Sequence, residues 1–159
     1  MKPKPLYILT LAWAYFALAT TAVSSTQDEL KLLQDPGGWE YITVSDQDAG
    51  IQTEHVCFDG QPHPRECSGK LILRPDNTFT QQVTIHGKSV DRHGKYELND
   101  EQIAFFDEFG TRDGPYTLQL SVDSKTLVLS MPQVRLELEL ESQYKEEARQ
   151  KKAPAARQR

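Results

Sequence analysis

The chain has 159 residues and a formal net charge of −5, from 18 Lys and Arg against 23 Asp and Glu. That length fits one domain of ordinary size and leaves no room for a separate cofactor domain. Residues 23–143 carry 10 basic and 21 acidic side chains, which excludes a nucleic-acid-binding body, since phosphate recognition needs clustered Lys and Arg.

The chain starts with a short basic stretch, Met1-Lys2-Pro3-Lys4-Pro5. An uncharged apolar run follows from Leu6 to Ala19, then the small residues Thr20-Thr21-Ala22-Val23-Ser24-Ser25. Those are the three parts of a secretory signal peptide. The reading assigns residues 1–22 to it, with cleavage in the window 22–25, after Ala22 or after Ser24. The rival is a retained anchor, because the uncharged stretch from Pro5 to Gln27 is long enough to span a bilayer. Its Thr- and Ser-rich second half favours cleavage. Either way the rest of the chain is extracytoplasmic, periplasmic or secreted.

Thr26 to Gln34 spaces Leu30 and Leu33 as a short helix would, and Pro36-Gly37-Gly38 stops it. From residue 38 to 143 the pattern has period two, with turn residues every ten or so positions. The spacing predicts strands over 38–45, 50–58, 67–74, 78–86, 89–98, 102–107, 115–122, 125–131 and 133–143. In the last, Val134, Leu136, Leu138 and Leu140 alternate with Arg135, Glu137, Glu139 and Glu141, so one face meets water and the other must be buried. Antiparallel strands of that kind must close or stack, and the expected fold is an all-β, antiparallel up-and-down barrel of eight or nine strands, with a sandwich as the alternative. The barrel domain covers residues 27–143. Residues 144–159 carry 6 basic and 2 acidic side chains and form a basic tail, helical to about Lys152 and disordered beyond.

Cys57 and Cys67 are the only cysteines. In an oxidising compartment they form one disulfide across the turn-rich segment 58–66. His55 and His63 lie nearby, but the Cys-x2-Cys knuckle of structural zinc sites is missing, so no metal is assigned. No nucleophile elbow, phosphate-binding glycine loop or His-Glu-x-x-His appears. Asp107, Glu108 and Asp113 gather at one loop with Arg112 among them and read as a solvated hairpin. The chain is therefore expected to be no enzyme and to need no cofactor.

Gln81 shares a face with Phe79, Val83 and Ile85, so it points inward and needs a partner there. His55 shares a face with Ile51 and Cys57. Leu32-Leu33 followed by Gly37-Gly38-Trp39 at the start of the first strand resembles the opening of a lipocalin. Gly94-Lys95-Tyr96-Glu97-Leu98 before a turn is similar to small bacterial lipocalin-like domains. The likeness runs over residues 30–143, although the family's Thr-Asp-Tyr motif is broken here into Thr111, Asp113 and Tyr116. The resemblance implies structural roles for Gly37 and Trp39, with Trp39 plugging one barrel end and Arg135 packed over it. It also implies a mouth for a small apolar molecule, with Gln81, His55, Phe79, Tyr96, Phe105 and Leu118 as lining candidates. The other expectation is a solid-cored monomer that meets a protein or envelope partner through loop 58–66 or the basic tail. Protein recovered from the exported fraction should begin between residues 23 and 25 and weigh two hydrogens less than the reduced chain; intact-mass spectrometry reads both.

Overall fold

The computed structural model describes residues 27–48, 51–58, 65–99, 101–123 and 125–152. The leader 1–22, residues 59–64 of the cysteine-bounded loop and the tail end 153–159 lie outside the described residues.

The described residues form a short helix α1 (Gln27–Leu33), nine strands and a C-terminal helix α2 (Glu141–Lys152). The strands are β1 (Trp39–Asp48), β2 (Ile51–Val56), β3 (Cys67–Leu73), β4 (Thr78–Ile85), β5 (Lys88–Asn99), β6 (Gln102–Asp107), β7 (Arg112–Ser121), β8 (Thr126–Met131) and β9 (Val134–Leu140). Each pairs antiparallel with its neighbour from β3 to β9, and β9 pairs back onto β1. The sheet is thus a closed barrel of eight strands, and the sandwich alternative falls. The ninth, β2, shares one flank of β1 with β3. It takes Thr43 to Asp48, while β3 takes Trp39 and Glu40.

Those two strands are therefore the two halves of one barrel stave, interrupted by the excursion between them. The Cys57–Cys67 disulfide closes it, with Cα atoms 4.3 Å apart, and both cysteines are buried. The Glu66 N–H donates to the Val56 carbonyl at the same place.

Alternation puts the apolar residues inside, and two bulges adjust it. Tyr41 pairs with Leu138, but Thr43 pairs with Glu137, so β1 carries one extra residue at Ile42. Trp39 and Tyr41 then share the interior with Val44, although the parity of the numbering has switched. On β7, Asp113 pairs with Phe105 and Tyr116 with Ile103, again one residue too many.

Trp39 is fully buried, and its indole Nε1–H donates to the Leu33 carbonyl at 2.9 Å, which draws α1 across one barrel end. Gln34 Nε2 donates to the Tyr96 hydroxyl, which donates to the Arg74 carbonyl, and these tie the same end. Gly38 is a position where the backbone demands glycine. Its φ is +73°, and a Cβ there would sit 2.7 Å from the Leu71 carbonyl oxygen. At Gly37 a Cβ would meet only side-chain atoms of Asp35 and Glu141.

Two expectations need correction. Arg135 does not pack over Trp39. It lies at an odd position of β9, opposite Ser45 and Ser130, and faces outward, half exposed, with Glu137 4.0 Å away. The last strand ends at Leu140, because Glu141 opens α2. The Glu141 carboxylate holds Lys70 at 2.7 Å and Lys145 at 2.6 Å, and its backbone N–H donates to the Gly38 carbonyl. Those ammonium groups, Lys145 first, hold the Glu141 carboxyl below the usual carboxylate range. Farther along α2, Tyr144 packs edge-on against Phe58 at 5.1 Å and covers the segment beside the disulfide.

Replacing both Cys57 and Cys67 by Ala frees a short loop in the unfolded chain and should cost about 2–3 kcal/mol in the chain-entropy account. Urea unfolding of the variant, with and without reductant, checks it, and reductant should then change nothing further.

Candidate functional site

The floor of the bore is apolar and solid. Trp39, Leu71, Phe79, Ile103, Phe105, Leu129 and Leu138 are each no more than 3% exposed. Side chains lining a water-sized void would show accessible surface to it, so this part of the bore is packed. Phe79 meets Phe105 edge-on at 4.8 Å, and Phe105 meets Tyr116 at 6.0 Å.

Above the aromatic stack a polar chain crosses the bore. Gln81 Nε2 donates to the Tyr41 hydroxyl at 2.6 Å, and Arg92 Nη1 donates to Gln81 Oε1 at 3.4 Å. Arg92 is ion-paired with Asp113 Oδ2, and the Tyr116 hydroxyl donates to Asp113 Oδ1 at 2.8 Å. Five residues from β1, β4, β5 and β7 thus form one connected line. Among the described residues no buried side-chain nitrogen or oxygen lacks a partner. The inward amide of Gln81 is therefore satisfied by protein groups.

Burial, opposed by the Gln81 bond, pushes the Tyr41 phenol up to about 12. Burial raises Tyr116 as well, and Asp113 adds to it by accepting the phenol proton and repelling a phenolate. Both tyrosines stay neutral donors and acceptors across any physiological pH.

The residues named from sequence separate in space. Phe79, Phe105 and Tyr96 lie in the packed interior, with Tyr96 serving the plugged end. Gln81 belongs to the polar chain. Leu118 is half-buried against the core. His55 is buried elsewhere, beside the disulfide: its Nδ1 is 3.6 Å from Glu66 Oε2 and its ring is edge-on to His86 at 4.8 Å. The three loop carboxylates also part. Asp107 accepts the backbone N–H groups of Phe109 and Thr111, Glu108 faces His93 at 3.3 Å, and Asp113 turns into the bore. Among the described residues no group of three or more metal-ligating side chains gathers.

The period-two alternation carries Tyr116 inward with Leu118 but misses its companions Tyr41, Arg92 and Asp113. Arg92 could have been found, since it shares parity with Tyr96 on the same strand. Asp113 could not, because the β7 bulge puts it and Tyr116 on one face at unlike parity.

Toward the far end of the bore Arg92 and Asp113 remain about a quarter exposed. Val83 and Ile85 on β4, and Met131 and Val134 on β8 and β9, continue the inward face there, only partly buried. Val90, opposite Val83, is half exposed. An open groove of about 320 Å³ lies on the outer wall instead, across β3 to β5, among Lys70, Ile72, Thr80, Gln82, Asp91 and His93. No protein-family model, no curated protein and no solved structure matches the chain.

Two outcomes follow from the polar chain. Unfolded Tyr41 loses its proton near pH 10, whereas folded Tyr41 keeps it to about 12. The folded state binds more protons in that window, so stability is intact below about pH 10 and falls as pH rises through it. A tyrosinate absorbance titration should show late-titrating tyrosines, and Tyr41→Phe should remove one tyrosine's amplitude from them. Asp113→Asn leaves Arg92 without its carboxylate and should cost about 1–3 kcal/mol by denaturant titration.

Proposed function

We propose that this chain is an exported, non-enzymatic barrel of lipocalin-like design that works by contact through its surface. The packed bore carries the reading. Aromatic and leucine side chains fill its floor, and the polar chain above them is closed on itself. A carrier of drug-sized apolar molecules needs about 300 Å³ or more of enclosed space, and the residues best placed to line it are already in contact with one another. Export is supported by the basic, apolar and small-residue order of the leader, together with a buried disulfide, which fits an oxidising compartment. The absence of turnover is argued from the same closure: the bore's carboxylate is held by Arg92 and Tyr116, and both thiols are consumed.

A second reading keeps a small-molecule role at the far mouth. It rests on the partial exposure of Arg92 and Asp113 beneath half-buried Val83, Ile85, Met131 and Val134. A molecule with an apolar body and one anionic group would suit that rim.

Native mass spectrometry of protein taken directly from the exported fraction separates the two. The surface reading expects the bare, disulfide-bonded mass. A reproducible adduct that organic solvent strips would overturn it, and loss of that adduct in Arg92→Leu would place the molecule at the mouth.

A further inference from the structure

We propose that the outer edge of β2 is a docking site for an extended, Lys- or Arg-bearing segment of another protein, added as a further strand. This deepens the surface-contact reading and rests on it.

The hydrogen-bond phase of β2 fixes which groups point outward. The Cys57 N–H donates across to the Ile42 carbonyl of β1 at 2.7 Å, while the Val56 carbonyl faces the other way and accepts from Glu66. Alternation then directs the backbone groups of Ile51, Thr53 and His55 toward β1, and those of Gln52 and Glu54 away from it. The Gln47 N–H agrees, because it turns from β2 and donates to the Gln133 carbonyl. Among the described residues no backbone group pairs with the outward N–H and C=O of Gln52 and Glu54. Closing a barrel removes most strand edges, and β2, the terminal strand of the sheet order, keeps one where a strand can add.

The ribbon also stands clear of the core. Ile51, Gln52, Thr53 and Glu54 are exposed on both faces, and Ile51 is 70% exposed. Its charge selects the partner. The β1–β2 ladder carries Asp46, Asp48 and Glu54 and no Lys or Arg. Arg135, on the neighbouring strand, is already beside Glu137. Pairing two copies through β2 would bring Glu54, Asp46 and Asp48 of both onto one sheet with no Lys or Arg on either ladder, which disfavours a symmetric pair. A cationic strand gains backbone hydrogen bonds and charge complementarity together. Its preferred pattern alternates β-branched residues, beside Ile51 and Thr53, with basic ones, beside Gln52 and Glu54.

The test uses the mature protein and a hexapeptide of alternating lysine and valine at low salt. The amides of Gln52 and Glu54 should gain hydrogen-exchange protection, and added salt should weaken binding. Gln52→Pro removes an outward N–H without touching the β1 ladder, so the variant should keep its circular dichroism and bind at least tenfold more weakly. N-methylating alternate peptide amides tests the same hydrogen bonds on the unaltered protein and should abolish binding. Equal binding by the N-methylated peptide, or by a glutamate–valine peptide, would overturn the proposal. So would Gln52 and Glu54 amides that are already protected without peptide. The surface-contact reading fails on a different observation, the solvent-removable adduct.

Discussion

Filling one bore is the constraint on which the rest of this structure depends. Closing eight strands produces a single cylinder whose inward positions mostly see each other and little solvent, so each must be apolar or hydrogen-bonded. The chain meets that demand in two layers. Large aromatics and leucines pack the part nearest Trp39, and Tyr41, Gln81, Arg92, Asp113 and Tyr116 satisfy one another above them. The bulges in β1 and β7 serve this purpose, since each shifts the phase of its strand so that Tyr41, Val44, Asp113 and Tyr116 can all turn inward.

The strand pattern was easy to read because one-sided burial leaves a period of two, and the strand spans from Cys67 to Met131 follow it closely. Cysteine pairing was equally legible, from the count of two and the oxidising compartment that the leader leads one to expect. The inward position of Gln81 followed from the same alternation. What alternation cannot register is an inserted residue. Asp113 and Tyr116 differ by three positions yet face the same way, so the ion pair with Arg92 was invisible. Arg135 failed for the opposite reason: its odd position on an unbroken strand already placed it outside, and only the family likeness suggested otherwise.

The split stave explains why the disulfide sits where it does. Without an excursion, β2 would run directly into the position that β3 occupies and pair along the whole of β1. The interruption breaks that ladder near Ile42, close to the bulge, and the Cys57–Cys67 bond holds the halves together across the gap. Tyr144 of α2, against Phe58, covers the same junction from outside, so the C-terminal helix and the covalent bond reinforce one weak point.

The pairing of Trp39 with Leu140 joins residues about 100 positions apart, near the two ends of the folded body. Local hairpins from β3 to β9 can form as the chain emerges, because each strand's partner is its immediate neighbour. Closure is different. The entropy of bringing distant strands together must be met before their contacts reward it. A chain delivered from its N-terminus therefore holds β1 as an open edge until the last strand arrives. The barrel cannot seal before Leu140 has emerged, so closure is the last step of folding during synthesis.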